Sequence, residues 1–158
     1  AFSISDAVLE ELGMAVLLLV ALLVIVFILN GIGRTHVLKE LGSGRAWLGW
    51  IPYAGQICLG LHVKDEEGKI PVFGAKVNST VVALWPVYVL ICSYIPNVGS
   101  ILGLVVSIIL GGSVYAAVYA KMEEKDLSET RVLGYVTGWI GLVATVKFLI
   151  YRSRDKKR

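Results

Sequence analysis

Few side chains in this sequence are equipped for chemistry, and their spacing narrows what that chemistry could be. His36 and Glu40 lie four residues apart. On a helix that spacing lets them share a metal ion or merely a solvated face. The plain face is the expectation, because no Cys/His spacing nearby completes a metal set. His62 stands alone at the polar edge of an apolar segment. Cys58 and Cys92 fall inside apolar segments and read as small buried hydrophobes rather than a disulfide or a redox pair. No Ser and Lys are arranged as a nucleophile–base dyad. The stretches "GIG" and "GSG" lack the G-K-[ST] that completes a phosphate loop. No Asp or Glu falls in the middle of an apolar segment, so a buried proton or cation relay has no candidate. The expectation is a protein that is not an enzyme, with no cofactor and no metal.

What remains is a set of neutral polar groups beside two breaks. "IPYAGQICLG" (51–60) and "IPNVGSILGL" (95–104) match at Ile51/Ile95, Pro52/Pro96, Gly55/Gly99 and Ile57/Ile101. Proline fixes φ and lacks an N–H, and glycine frees the backbone, so each stretch interrupts a helix. Backbone freed at membrane depth must face protein or water. In transporters, paired Pro/Gly-broken segments mark a substrate site. Gln56, Asn97 and Ser100 would be its polar groups. The competing reading is punctuation, two turns at the membrane surface. A third copy, "IPVFG" (70–74), lies in a charged loop and favours punctuation.

The elements that carry these residues are set by composition. Hydrophobic residues make up 56% of the 158, and the mean hydropathy is +0.75. A soluble domain of this size leaves too much surface exposed to hide that much apolar side chain. The expected fold is all-α, a polytopic transmembrane bundle of four or five spans in a single integral membrane domain. The spans fall at about 8–33, 47–63, 79–94, 101–120 and 132–151. Residues 47–63 are at the short limit and either span or re-enter; Trp47 and Trp50 suit the headgroup region. The linkers "RTHVLKELGSGRA", "KDEEGKIPVFGAKVN" and "KMEEKDLSETR" are charged loops. Asn78-Ser79-Thr80 matches a glycosylation acceptor but reads as a polar helix start, with Ser or Thr as cap.

The net charge is +3, clustered at the ends and in short stretches, which excludes the basic face of a nucleic-acid binder. The start "AFSISDAVLEELG" lacks the basic region of a cleaved signal peptide. Its opening on Ala1 leaves open whether a residue or leader was removed. With five spans, Arg34, Lys39, Arg45, Arg152, Arg154, Lys156, Lys157 and Arg158 lie on one side. Lys64, Lys69, Lys76, Lys121, Lys125 and Arg131 lie on the other. This bias puts the N-terminus outside and the C-terminus in the cytoplasm. If residues 47–63 re-enter, four spans remain and the count reverses the tail. Lys147, near the inner end of the last span, is expected to snorkel. With the tail residues 152–158 it forms a lipid and topology anchor.

Small residues recur at helical spacing. Gly99, Gly103, Ser107 and Gly111 form one row; Gly112, Ala116 and Ala120 form a second; Gly134, Gly138 and Gly141 lie on the last span. Such rows let backbones touch, within one chain or between chains.

"GSGRAWLGWIPYAGQICLGL" with "IPNVGSILGLVVSIILGGSVYAAVYAKM" resembles a family of small prokaryotic membrane proteins of uncharacterised function. Its members carry a first span and two IP stretches, and some are fused to signal peptidase I. The resemblance covers about residues 15–122 and implies a prokaryotic cytoplasmic membrane. It brings no activity. The family pattern has Asn soon after each IP, as at Asn97; Tyr53-Ala54 stands at the first. The expected role is an assembly or accessory subunit, a homo-oligomer or a partner of other membrane subunits in the bilayer. The alternative is a small channel or transporter, or a holin-like pore, using the paired breaks.

Overall fold

The computed structural model describes residues 5–157 and is mostly helical. Helix α1 (Asp6–Glu40) is capped by Ser5, whose hydroxyl accepts the Val8 N–H at 3.3 Å, with Asp6 favourably placed in the first turn. It stops where Gly42 takes a positive φ of 87°. Such a residue lets the chain turn and return its N–H groups to the last carbonyls. A 3₁₀ turn (Ala46–Trp50) leads into α2 (Ala54–His62). Strands β1 (Lys69–Val72) and β2 (Ala75–Asn78) pair antiparallel, Ile70 opposite Val77. Then come α3 (Ser79–Ala83), α4 (Trp85–Cys92) and α5 (Gly99–Val106). A π-helical turn (Ser107–Gly111) joins α5 to α6 (Gly112–Glu123) without a break. The chain ends with α7 (Leu127–Trp139) and α8 (Leu142–Lys156).

Among the described residues, two helices are long and apolar enough to cross a membrane: α1, and the continuous run Gly99–Glu123. The other expected spans are each divided. Residues 47–63 form the 3₁₀ turn and nine-residue α2, split around Pro52. Residues 79–94 divide at Leu84, with Pro86 in the first turn of α4. Residues 132–151 divide at Ile140–Gly141, because Ile140 adopts an extended conformation at the end of α7. The stretch 64–78, expected to be a charged loop, contains a hairpin. Phe73 and Gly74 both have positive φ (49° and 87°), as a tight two-residue hairpin turn requires. Asn78, not Ser or Thr, caps α3, its side chain accepting the Thr80 N–H at 2.9 Å.

Helix directions follow from contacts. Helix α8 runs parallel to α1: Thr145 bonds Asn30, Phe148 covers Gly33, and Asp155 meets His36. It also runs parallel to α6, with Phe148 on Tyr115 and Tyr151 on Tyr119. Helix α7 is antiparallel to α6 and packs backbone to backbone. A Cβ on Gly134 would lie 2.6 Å from the Gly112 oxygen, and one on Gly138 would lie 2.7 Å from the Ser107 oxygen. The Ser107 hydroxyl donates to the Gly138 oxygen at 2.6 Å. The core lies between α6, α8 and the second half of α1, with Tyr119, Phe148, Leu38, Leu59 and Ile70 buried. Each fully buried side chain of this size contributes about 1.5–3 kcal/mol. From Ser5 to Ile25 every residue is exposed, so the first half of α1 stands apart from the body.

The charged loops do not alternate between two ends. Lys121 Nζ donates to the His62 and Lys64 carbonyls at 3.3 and 3.2 Å. Arg154 in the tail donates to the Met122 carbonyl at 2.9 Å. His36 pairs with Asp155. The two groups of basic residues that five alternating spans would separate therefore share one end of the molecule.

Candidate functional site

The two IP breaks fold alike locally. After Pro52, Tyr53 takes φ 65° and ψ −53°, and the Ala54 N–H reaches the Pro52 oxygen at 2.7 Å. After Pro96, Asn97 takes φ 68°, and the Val98 N–H reaches the Pro96 oxygen at 2.8 Å. This is the γ-turn with positive φ, uncommon and strained for a residue other than glycine. Each turn launches a helix. Gly55 and Gly99 are required at the contact: a Cβ would strike the Leu48 oxygen at the first and the Cys92 oxygen at the second.

Their surroundings differ. Asn97 and Pro96 are exposed at the tip of the α4–α5 hairpin, and Ser100 lies in a shallow groove with Val89, Ser93 and Gly103. Gln56 instead enters the body. It lines an enclosed cavity of about 120 Å³ with Asn30, Arg34, Tyr115, Gly141, Leu142, Thr145 and Phe148. The structure thus separates Gln56 from Asn97 and Ser100, which sequence symmetry had grouped.

Four elements build this cavity. The chain descends along α1 through the 3₁₀ turn, Trp50 filling the space beside Gly31. It turns at Pro52–Tyr53 and climbs as α2, so that Gln56 stands level with Tyr115 and His62 level with Lys121. Helix α7 descends beside α6, breaks at Ile140–Gly141, and α8 climbs back. Both broken pairs turn at the height of the cavity, and both ascending helices start there. Arg34 projects from α1 and is only 9% exposed. Its Nε donates to the Asn30 oxygen at 3.4 Å. It has no other hydrogen-bond partner and no carboxylate partner among the described residues. The Thr145 hydroxyl donates to the Asn30 side-chain oxygen, which leaves that amide's N–H groups to point elsewhere. Arg34, read from the sequence as the first residue of a polar linker, was not among the candidate site residues, yet it lines this cavity.

A wider cleft of about 570 Å³ lies between Ser43–Leu48 and the face of α2 carrying Ala54, Cys58 and His62. It is mostly apolar. His62 is already engaged, its Nδ1 2.8 Å from the Cys58 carbonyl oxygen. The chemistry therefore concentrates in the smaller cavity.

The remaining sequence candidates have structural surroundings. Gly112, Ala116, Gly134 and Gly138 form the α6–α7 contact, while a Cβ on Gly111 would lie 3.2 Å from the Trp85 ring. Gly103 has ordinary room: a Cβ there would find its nearest neighbour, the Cys92 Cβ, at 3.6 Å. Lys147 pairs with Glu123 at 3.2 Å and sits over the Tyr119 and Tyr151 rings. Arg152 is half-buried, Lys156 and Lys157 are exposed, and Arg158 lies outside the described residues. His36 is not a solvated side chain. It meets Asp155 at 2.7 Å, and with Glu40 the three place ligand atoms within 4.8 Å of one another. That His36 contact is the main cause holding the Asp155 carboxyl below its usual range. No family model, curated protein or solved structure matches the chain.

Proposed function

We propose that the chain is an integral membrane protein that holds a small solute inside its helical body and acts as a channel or transporter, not as an enzyme. One observation carries this: two broken helical pairs begin their ascending helices at an enclosed polar cavity that contains a nearly buried arginine. Discontinuous helices meeting at a site are the usual construction of membrane solute sites.

In this reading α1, the α3–α4 descent and the Gly99–Glu123 run cross the bilayer, and the two broken pairs re-enter it from one side. Every Lys and Arg follows Gly33, and the loops that carry them gather at one end. Asp6, Glu10 and Glu11 lie at the far end of α1. The distribution of basic residues supports an N-terminus outside and a C-terminus in the cytoplasm. Exposed Trp47 and Trp139, with the partly exposed Trp50, suit a headgroup belt.

The test is solute flux from liposomes containing the pure protein. Release of small solutes above protein-free vesicles, blocked by Gln56→Trp, supports the reading; no release of ions or small organic solutes overturns it. The exposed first half of α1 favours a second reading, a subunit that docks in the membrane. Residue-specific cross-linking from Leu19 to another protein, without flux, would favour that role.

A further inference from the structure

We infer that the cavity around Arg34 binds a small oxyanion, of the size of acetate or inorganic phosphate; this rests on reading the cavity as a solute site. Four observations converge. Arg34 is 91% buried, yet no carboxylate lines its cavity. A guanidinium stays protonated in proteins, so this charge is permanent and needs compensation. Two partly buried basic side chains are met by carboxylates, Lys147 by Glu123 and His36 by Asp155. A purely structural Arg34 would be expected to follow that pattern.

The second observation is the pair of helix starts. Helix α2, nine residues, and α8, fifteen residues, both begin at the cavity. The first turn of each helix carries a partial positive charge, which favours anions and repels cations; the N–H groups of Ala54, Gly55, Ile57, Val143 and Ala144 are already bonded to backbone carbonyls, so the contribution is that of the helix dipole. Third, the neutral groups are donors suited to an oxyanion: the Tyr115 hydroxyl, the Gln56 amide and the Asn30 amide freed by Thr145. A guanidinium fork matches two oxygens of a carboxylate or phosphate. Fourth, about 120 Å³ admits an ion of a few heavy atoms and excludes a bulky one. Exposed Gly141 and Leu142 line it and place its mouth at the α7–α8 break.

The experiment uses the full chain in an uncharged detergent. Tryptophan fluorescence and thermal unfolding are followed while sodium acetate or phosphate replaces sodium gluconate, whose anion is too large for the cavity, at constant ionic strength. Saturable stabilisation by acetate or phosphate is expected. Arg34→Gln should raise the half-saturating concentration at least tenfold, and Arg34→Lys less, since it keeps the charge but loses the fork. If Arg34→Gln does not fold, Gln56→Ala and Thr145→Val should each weaken saturation severalfold. Competition by dihexanoyl phosphatidate would assign the oxyanion to a lipid headgroup; its failure to compete would assign it to a free ion, and either result retains the site. Equal responses to acetate, phosphate and gluconate, or saturation unchanged in Arg34→Gln, would overturn the proposal. Arg34-dependent binding without liposome flux would sink the transport reading and keep the anion site. Flux of neutral solutes without such binding would do the reverse.

Discussion

Adding one methyl group at each of two glycines should move stability in opposite directions. At Gly134 on α7, a Cβ would sit 2.6 Å from the Ala116 Cβ, 2.6 Å from the Gly112 oxygen and 2.7 Å from the Ala116 nitrogen. The last two are backbone atoms of α6 and cannot rotate away, so the helices must part. Overpacking of this kind costs about 1–3 kcal/mol. Replacing a helix-interior glycine with alanine returns about 1 kcal/mol of propensity. With two backbone clashes the upper part of the range applies, leaving Gly134→Ala destabilised by about 2 kcal/mol. At Gly103 on α5 the nearest atom would be the Cys92 Cβ at 3.6 Å, ordinary contact. There the propensity gain stands alone, and Gly103→Ala should be stabilised by about 0.5–1 kcal/mol. The two variants should differ by roughly 3 kcal/mol, more than a hundredfold in the unfolding equilibrium. Reversible unfolding in mixed detergent micelles, followed by tryptophan fluorescence, measures both. A Gly134→Ala protein as stable as the parent would refute the α6–α7 packing described above.

Three further outcomes follow from named contacts. Tyr53 holds a positive φ that Asn tolerates better, so Tyr53→Asn should raise stability by about 1 kcal/mol in the same unfolding assay; a loss would mean that the ring's packing outweighs the strain. The Asp65 carboxylate accepts the Lys69 and Glu67 N–H groups at 2.9 Å and pairs with Lys76 at 3.3 Å. Chiefly through the Lys69 N–H, its value in the folded hairpin lies below the ordinary carboxylate value of about 3.9. Its contribution is therefore full above that ordinary value and is lost as pH falls through the lower folded one; amide exchange of the hairpin should quicken only there, and Asp65→Ala should abolish the pH step. In a cysteine-free background, cysteines at Lys64, Lys125 and Lys157 should all label from one face of the membrane, and one at Asn97 from the other. Labelling of 64 and 157 from opposite faces would restore five alternating spans.

The parts of the fold legible in the sequence were those written in local apolar content. The uninterrupted run after Met14 and the run from Ile101 are the two segments long and apolar enough to cross a membrane. The interruptions in the other expected segments were not legible, for a physical reason. Hydropathy sums side chains over a window, whereas Ile140 ends α7 through a backbone angle its own apolar side chain does not announce. The hairpin at 69–78 was hidden by the charges around it. Its register depends on positive φ at Phe73, which the residue type does not advertise as an Asn would.

The site was half legible because a repeated motif fixes a conformation but not its environment. Both IP stretches make the same γ-turn, and from sequence alone Gln56, Asn97 and Ser100 were equivalent. What separates them is the third partner. The first turn is itself exposed, but the helix it launches packs against α1 and α6, so Gln56 meets Arg34 and Thr145 around one cavity. The second is the bare tip of a hairpin, where Tyr94 is 82% exposed. Arg34 carried no local signal, since a basic residue after an apolar run is what any span boundary supplies. Its isolation from carboxylates belongs to the packing of α1 against α8, elements more than one hundred residues apart in sequence, as the Asn30–Thr145 contact shows. A buried charge with no carboxylate partner among the described residues is thus a feature that packing, not composition, creates. It is also the feature that a helix-packing role alone leaves unexplained.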